Sequence, residues 1–174
     1  PASLVFMAKH LRAFEKPLIA CIQGPTVGMG VTILPFFDMV YAAERATFTT
    51  PFVQLGLVLE YGSSFTLPRL IGRQRASELI LRGKPISAAT AADWGLVTAV
   101  FSSEALDEEV LRIANDVASA PPGAVAACKR LLMDGEEATL AEAMAAENLA
   151  LSSRYGSAEN VQAVTAILSK GKRS

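Results

Sequence analysis

Apolar residues first recur at helical spacing. Leu4, Val5, Ala8, Leu11 and Phe14 line one face of SLVFMAKHLRAFEKP, which predicts a helix ending before Lys16-Pro17. The pattern then changes. PLIACIQG is an apolar run closed by glycine and predicts a buried strand. GPTVGMG, with Gly24, Gly28 and Gly30, reads as loop. VTILPFFDMVYAAE is expected to begin as a helix limited by Pro35 and to pass into a strand near Met39–Ala43. RATFTTPF predicts a short strand stopped at Pro51. In LGLVLEYGSS, the residues Leu55, Leu57, Val58 and Leu59 read as a dry apolar wall broken by one carboxylate, Glu60.

Helices dominate from there. GSSFTLPRLIG predicts a short helix interrupted by Pro68, and RQRASELILRG an amphipathic one with Ala76, Leu79 and Ile80 on its inner face. SAATAADWG opens on a capping Ser87 and closes on Gly95, with Trp94 packing its helix. LVTAVF reads as a strand. From Glu104 on, the chain reads as helices broken at Pro121-Pro122, near Asp134-Gly135 and at Tyr155-Gly156. There is no fixed-period repeat. The order predicts an α/β core over residues 1–103 and a helical region over 104–174.

Composition narrows the function classes. The chain has 174 residues, of which 51% are hydrophobic and 19% charged, so it can bury a core. Sixteen basic residues meet 17 acidic ones without a basic cluster, which argues against nucleic acid. No apolar run approaches the ~18 residues of a membrane span. Cys21 and Cys128 sit in apolar sequence and are expected as two buried, reduced thiols. The opening on Pro1, with a helix already under way, is expected to mark the later part of a longer chain lacking its N-terminal part. KGKRS does not read as a peroxisomal address, and a cytoplasmic protein is expected. Lys170, Lys172 and Arg173 are expected in a frayed, solvated tail.

Several chemistries lack their residues. The lone histidine, His10, precedes every candidate serine, no G-x-S-x-G elbow exists, and two distant cysteines with one histidine make no zinc site. No phosphate-binding G-x-x-x-x-G-K-[ST] loop occurs, and Gly28-x-Gly30 lacks the third glycine of a dinucleotide fingerprint. Asp38 reads as a buried structural hydrogen-bonder. What remains is Glu60, a glycine-rich turn at a helix start and much apolar surface. That set suits proton transfer beside a carbonyl: a base takes the proton, and backbone N–H groups hold the oxygen as charge develops. The alternative is that Glu60 caps the following helix, where acids are favoured.

The stretch KPLIACIQGPTVGMGVTILPFFDMVYAAERATFTTPFVQLGLVLEYGSSFTLPRLIGRQRASELILRGKPISAATAADWGLV resembles the crotonase superfamily, the enoyl-CoA hydratases and isomerases, in motif and in motif order. The resemblance implies a spiral of β-β-α units with C-terminal helices used in trimer contacts. It implies an acyl-CoA thioester substrate, with coenzyme A belonging to the substrate and no separate cofactor or metal. It maps one oxyanion donor onto the Met29 N–H in the Gly-x-Gly turn, beside Gly28. Gly28, Pro51, Phe52, Leu55 and Leu59 are the candidate substrate-binding residues, with Phe52, Leu55 and Leu59 read either as lining the acyl pocket or as ordinary core. The second donor is expected upstream. A homotrimer or a dimer of trimers is the expected assembly, with no nucleic-acid partner.

The departures from the family pattern carry the functional expectation. The two glutamates with which the family's hydratases activate water fall on Thr32 and Phe52 here. Glu60 stands where most hydratases have glycine. This pattern is similar to the peroxisomal-type Δ3,Δ2-enoyl-CoA isomerases, which use a single glutamate before a Gly-Ser-Ser turn. The expected activity is therefore a double-bond shift from C3 to C2 of an enoyl-CoA. The alternatives are hydration or another crotonase reaction, and a catalytically silent paralogue that binds acyl-CoA or only assembles.

Overall fold

The structure, a computed structural model, describes residues 2–171 and the side chains of residues 4–169. Lys172, Arg173 and the side chain of Lys170 lie outside the described residues. The chain divides into two compact units, one formed by the residues up to Phe14 with Leu18–Ala114, the other by Glu15–Pro17 with the residues from Asn115 on.

In the first unit, helix α1 (Ala2–Ala13) precedes two successive strand pairs. These are β1 (Ile19–Ile22) with β2 (Thr26–Val27), and β3 (Met39–Ala43) with β4 (Thr47–Thr49). Between the pairs lie the one-turn helix α2 (Met29–Thr32) and a 3₁₀ turn at Leu34–Phe36. After β4 come a 3₁₀ turn at Val53–Leu55, then α3 (Ser63–Ile71), α4 (Arg73–Arg82), β5 (Ile86–Ser87), α5 (Ala88–Trp94) and β6 (Ala99–Phe101). First strands pair with first strands and second with second. β1, β3 and β6 form one parallel sheet, and β2 lies parallel to β4, which pairs antiparallel with β5. Each β-β-α unit thus lays one strand into each of two sheets, which is how a chain coils into a spiral. Val40, Ala42, Phe48, Leu67, Leu79 and Leu96 form the centre of the core between these elements.

Local chemistry accounts for the helices. Ser87 accepts a hydrogen bond from the Thr90 N–H at 3.1 Å, and Gly95 closes α5 in the left-handed conformation. Ala76, Leu79 and Ile80 bury the inner face of α4, as the periodicity predicts. Pro68 does not interrupt α3, contrary to expectation. The carbonyl it leaves without a donor belongs to Ser64, which is exposed to water, while Leu67 and Ile71 hold the helix to the core. GPTVGMG is not loop throughout, since it contributes β2 and opens α2.

Both cysteines are exposed, against the expectation of buried thiols. The alternation along β1 buries Ala20 and turns Cys21 outward, where partial desolvation and the Asp107 carboxylate at 3.5 Å push the thiol's pKa up. Asp38 is exposed rather than buried, yet it does the expected work: its carboxylate accepts the Leu18 N–H at 2.6 Å. His10 stays on the surface of α1, its Nδ1 2.8 Å from the Phe6 carbonyl. Trp94 packs against the core from α5.

Helix α6 (Leu106–Ala118) begins in the first unit and ends in the second. The second unit adds α7 (Pro122–Gly135), α8 (Leu140–Arg154) and α9 (Ala158–Gly171). Thr139 and Glu142 form a reciprocal capping box at the start of α8. Glu159 binds the Gly123 N–H with one oxygen at 2.9 Å and Arg154 with the other at 2.8 Å. Lys129 is buried and donates to the Lys16 carbonyl at 2.8 Å. Leu140, Leu149, Leu151, Ile167 and Leu168 on α8 and α9 are exposed. Among the described residues no helix is long and apolar enough to cross a membrane.

Candidate active site

The site begins at the turn into α2. Gly28 adopts φ 57° and ψ −116°, a conformation open to glycine and hostile to L side chains. Its N–H donates to the Thr49 carbonyl at 2.8 Å, which fixes the turn to the end of β4. Its carbonyl in turn accepts from Val31 at 2.9 Å and from Thr32 at 3.1 Å. The N–H groups of Met29 and Gly30 have no acceptor among the described residues. They open the first turn of α2, where unpaired donors gather and partial positive charge is strongest. The Met29 side chain points into solvent, so its backbone is the part available to a ligand.

Glu60 reaches the same turn from a distant part of the chain. It is half-buried, and its Oε1 accepts the Thr32 hydroxyl at 2.5 Å. That hydroxyl also lies 3.3 Å from the Met29 carbonyl. Thr32 therefore ties the carboxylate to the residue that carries the free N–H. Oε2 of Glu60 has no hydrogen-bond partner among the described residues. The carboxylate does not cap α3. The cap is Gly62 with no side-chain bond, and it is the Glu60 backbone carbonyl that accepts from the Ser63 N–H at 3.0 Å and the Ser63 hydroxyl at 2.6 Å. The capping alternative is thus satisfied by the main chain, which leaves the carboxylate free for other work.

The bend that allows this is strained. Tyr61 has φ 59°, the sole positive φ outside glycine among the described residues, and Gly62 follows at φ 74°. A left-handed non-glycine residue costs on the order of 1–2 kcal/mol and is held only where its surroundings enforce it. Here the buried Tyr61 ring meets Phe36 edge-on, with centroids 5.2 Å apart. Its hydroxyl is buried with no partner among the described residues, and burial, followed by the charge on Glu60, pushes its pKa up. Removing an unsatisfied buried hydroxyl recovers about 1 kcal/mol. Tyr61→Phe is therefore expected to raise the melting temperature by roughly 2–4 °C in a calorimetric scan. A fall would mean that the hydroxyl holds a water.

The candidate pocket residues separate. Phe52 lies in the core beside Gly28, where a Cβ on that glycine would stand 3.9 Å from the ring. Pro51 is half-buried, and its carbonyl accepts the Leu55 N–H at 3.1 Å. Leu59 packs on the core and lines a cleft of about 210 Å³ with Ser63, Leu67, Arg73 and Ile80. Leu55, Leu57 and Val58 form no dry wall. They are 66%, 58% and 83% exposed, because the 3₁₀ turn and the left-handed Gly56 carry this loop away from the core.

Sequence reading missed two residues of the site. Thr32 is noticed there only for lacking an acid, although a polar residue inside VTIL was a signal that something buried must pair with it. Nothing in the sequence marks Tyr61 as left-handed. Among the described residues no three His, Cys, Asp or Glu side chains gather as metal ligands.

Three comparisons bear on this geometry. The chain matches the family described as "Enoyl-CoA hydratase/isomerase" over residues 4–173. It is 40% identical over 157 residues to "Enoyl-CoA delta isomerase 2" of Homo sapiens, covering 90% of this chain and 40% of that protein. It is 39% identical over 127 residues to "Enoyl-CoA delta isomerase 3, peroxisomal" of Mus musculus, covering 73% of this chain and 40% of that one. Among solved structures, an enoyl-CoA hydratase from Bacillus anthracis superposes with a TM-score of 0.93 at 30% identity, over 97% of this chain and 66% of that chain. The chain thus spans 40% of the length of these two isomerases.

Proposed function

The chain belongs to the enoyl-CoA hydratase/isomerase family, with the crotonase fold and a likeness to enoyl-CoA delta isomerases, and we propose that it moves a double bond from C3 to C2 of an enoyl-CoA with Glu60 as its single base. The observation that carries this reading is the Glu60 carboxylate, hydrogen-bonded by Thr32 to the turn whose Met29 N–H has no partner among the described residues. The thioester oxygen accepts the Met29 N–H. Glu60 takes the proton from C2, and the electron pair of the broken C–H bond spreads through the dienolate onto that oxygen. The same carboxyl group returns the proton to C4. One base serves both carbons because C2 and C4 present the same face of the planar dienolate to the carboxylate. The hydration alternative lacks its two acids, since Thr32 and Phe52 occupy those positions.

Incubation of the full-length protein with a 3-enoyl-CoA, and separately with a 2-enoyl-CoA in water, tests the reading by chromatography of the products. Conversion of 3-enoyl to 2-enoyl thioester without a 3-hydroxyacyl product is the expected result. A 3-hydroxyacyl product, or no reaction at all, overturns it.

Assembly as a homotrimer or dimer of trimers belongs to the same proposal and is supported by the exposed apolar residues of α8 and α9. Sedimentation equilibrium of the full-length protein is expected to return three or six protomer masses, and a monomer would refute it. Cytoplasmic residence is likewise proposed, and cell fractionation tests it.

A further inference from the structure

We infer that Thr32 is a positioning residue for Glu60, holding one carboxylate oxygen so that the other alone exchanges protons; this rests on the isomerase reading above. Thr32 is completely buried, and its backbone is pinned in α2 by its own N–H bond to the Gly28 carbonyl at 3.1 Å. A threonine on a helical backbone divides between two χ1 rotamers, and the Met29 carbonyl three residues back and the Glu60 carboxylate together hold Oγ1 in the one seen here. There it lies 2.5 Å from Glu60 Oε1 and 3.3 Å from the Met29 carbonyl.

A hydroxyl has one proton to give. While Glu60 is ionised, the proton goes to Oε1, as a short charge-assisted bond. When Glu60 carries the substrate's proton it is a weaker acceptor, and the Met29 carbonyl stands ready as a second one. The buried hydroxyl is therefore paired in both states and imposes no desolvation cost on either. Oε2, without a partner among the described residues, is the oxygen left to work. The C2–H bond breaks, its electrons stay with the dienolate and its proton joins Oε2. That O–H bond then breaks as C4–H forms. The same hydroxyl reaches the carbonyl of the residue whose N–H meets the thioester oxygen, so base and oxyanion donor share one anchor.

Thr32→Val keeps the shape and removes the hydroxyl, while Thr32→Ser keeps the hydroxyl. Turnover of a 3-enoyl-CoA by the full-length protein and both variants is resolved into kcat and KM, with a thermal melt for each. Thr32→Val is expected to lose roughly 10-fold in kcat, the cost of a misplaced reacting group, with KM and melting temperature near wild type. Thr32→Ser is expected to recover most of the loss. Equal kcat in wild type and Thr32→Val overturns the inference, as do equal losses in Val and Ser, which would place the effect in the packing around position 32 rather than in the hydroxyl. Should Thr32→Val fail to fold, Thr32→Ala against Thr32→Ser makes the same comparison. A wild-type protein with no isomerase turnover refutes the reading of the function instead, and Thr32 loses its role with it.

Discussion

Glu60→Gln is expected to lower kcat for a 3-enoyl-CoA by at least ~10²-fold, the low end of what a positioned base contributes. The substitution isolates the base from everything else at the site. Glutamine has the same shape, and its amide oxygen still accepts the Thr32 hydroxyl that now meets Oε1. The backbone carbonyl that caps α3 through Ser63 is untouched. Nothing holding the bend together is lost, so the melting temperature and KM should stay near their wild-type values. What disappears is the carboxylate that takes the substrate's proton. A fall in kcat with KM preserved identifies an interaction used in the transition state rather than in binding. A variant within a few-fold of wild type would return Glu60 to a structural role.

Gly28→Ala should be nearly as damaging, for a reason that has nothing to do with side-chain space. A Cβ at position 28 would stand 3.9 Å from Phe52, an ordinary contact. The backbone is the obstacle: φ 57° with ψ −116° is hostile to an L residue. Holding alanine there costs on the order of 1–3 kcal/mol, and relaxing it rotates the peptide whose N–H belongs to Met29. Loss of one oxyanion donor costs about 10²–10³ in kcat. The expected result is a kcat reduced at least ~10²-fold, together with a melting temperature lowered by roughly 2–4 °C for each kcal/mol of strain. Normal turnover in this variant would show that the Met29 N–H is not a donor to the reaction.

The sequence was most legible where a local rule decides. The apolar face of α4, the Ser87 cap, the Gly95 stop and the run that became β3 each follow from neighbours in the chain. Glu60 and the Gly28–Met29 turn could be singled out as chemistry without partners. The contact between them could not, because Thr32 and Glu60 lie 28 residues apart and only the coiling of the chain brings them together. The errors share that origin. Pro68 is a helix breaker by local rule, yet tertiary burial of Leu67 and Ile71 overrides it. Cys21 belongs to an apolar stretch, yet strand alternation places it outside while Ala20 goes in. Leu55, Leu57 and Val58 look interior by composition and lie outside because a left-handed glycine redirects their loop.

The parallel sheet has a consequence for how the chain reaches this state. β3 is its middle strand, and β3 meets β6 where Tyr41 faces Ala99 and the Val40 N–H bonds to the Thr98 hydroxyl across 58 residues of sequence. Such a pairing must close a long loop before any contact offsets the lost entropy, so it forms late and sets the pace of folding. Until then one edge of β3, apolar through Val40, Tyr41, Ala42 and Ala43, has donors and acceptors open to any other extended chain. On the ribosome that edge emerges well before Ala99 has been added, and this interval is when the nascent chain is most exposed to aggregation.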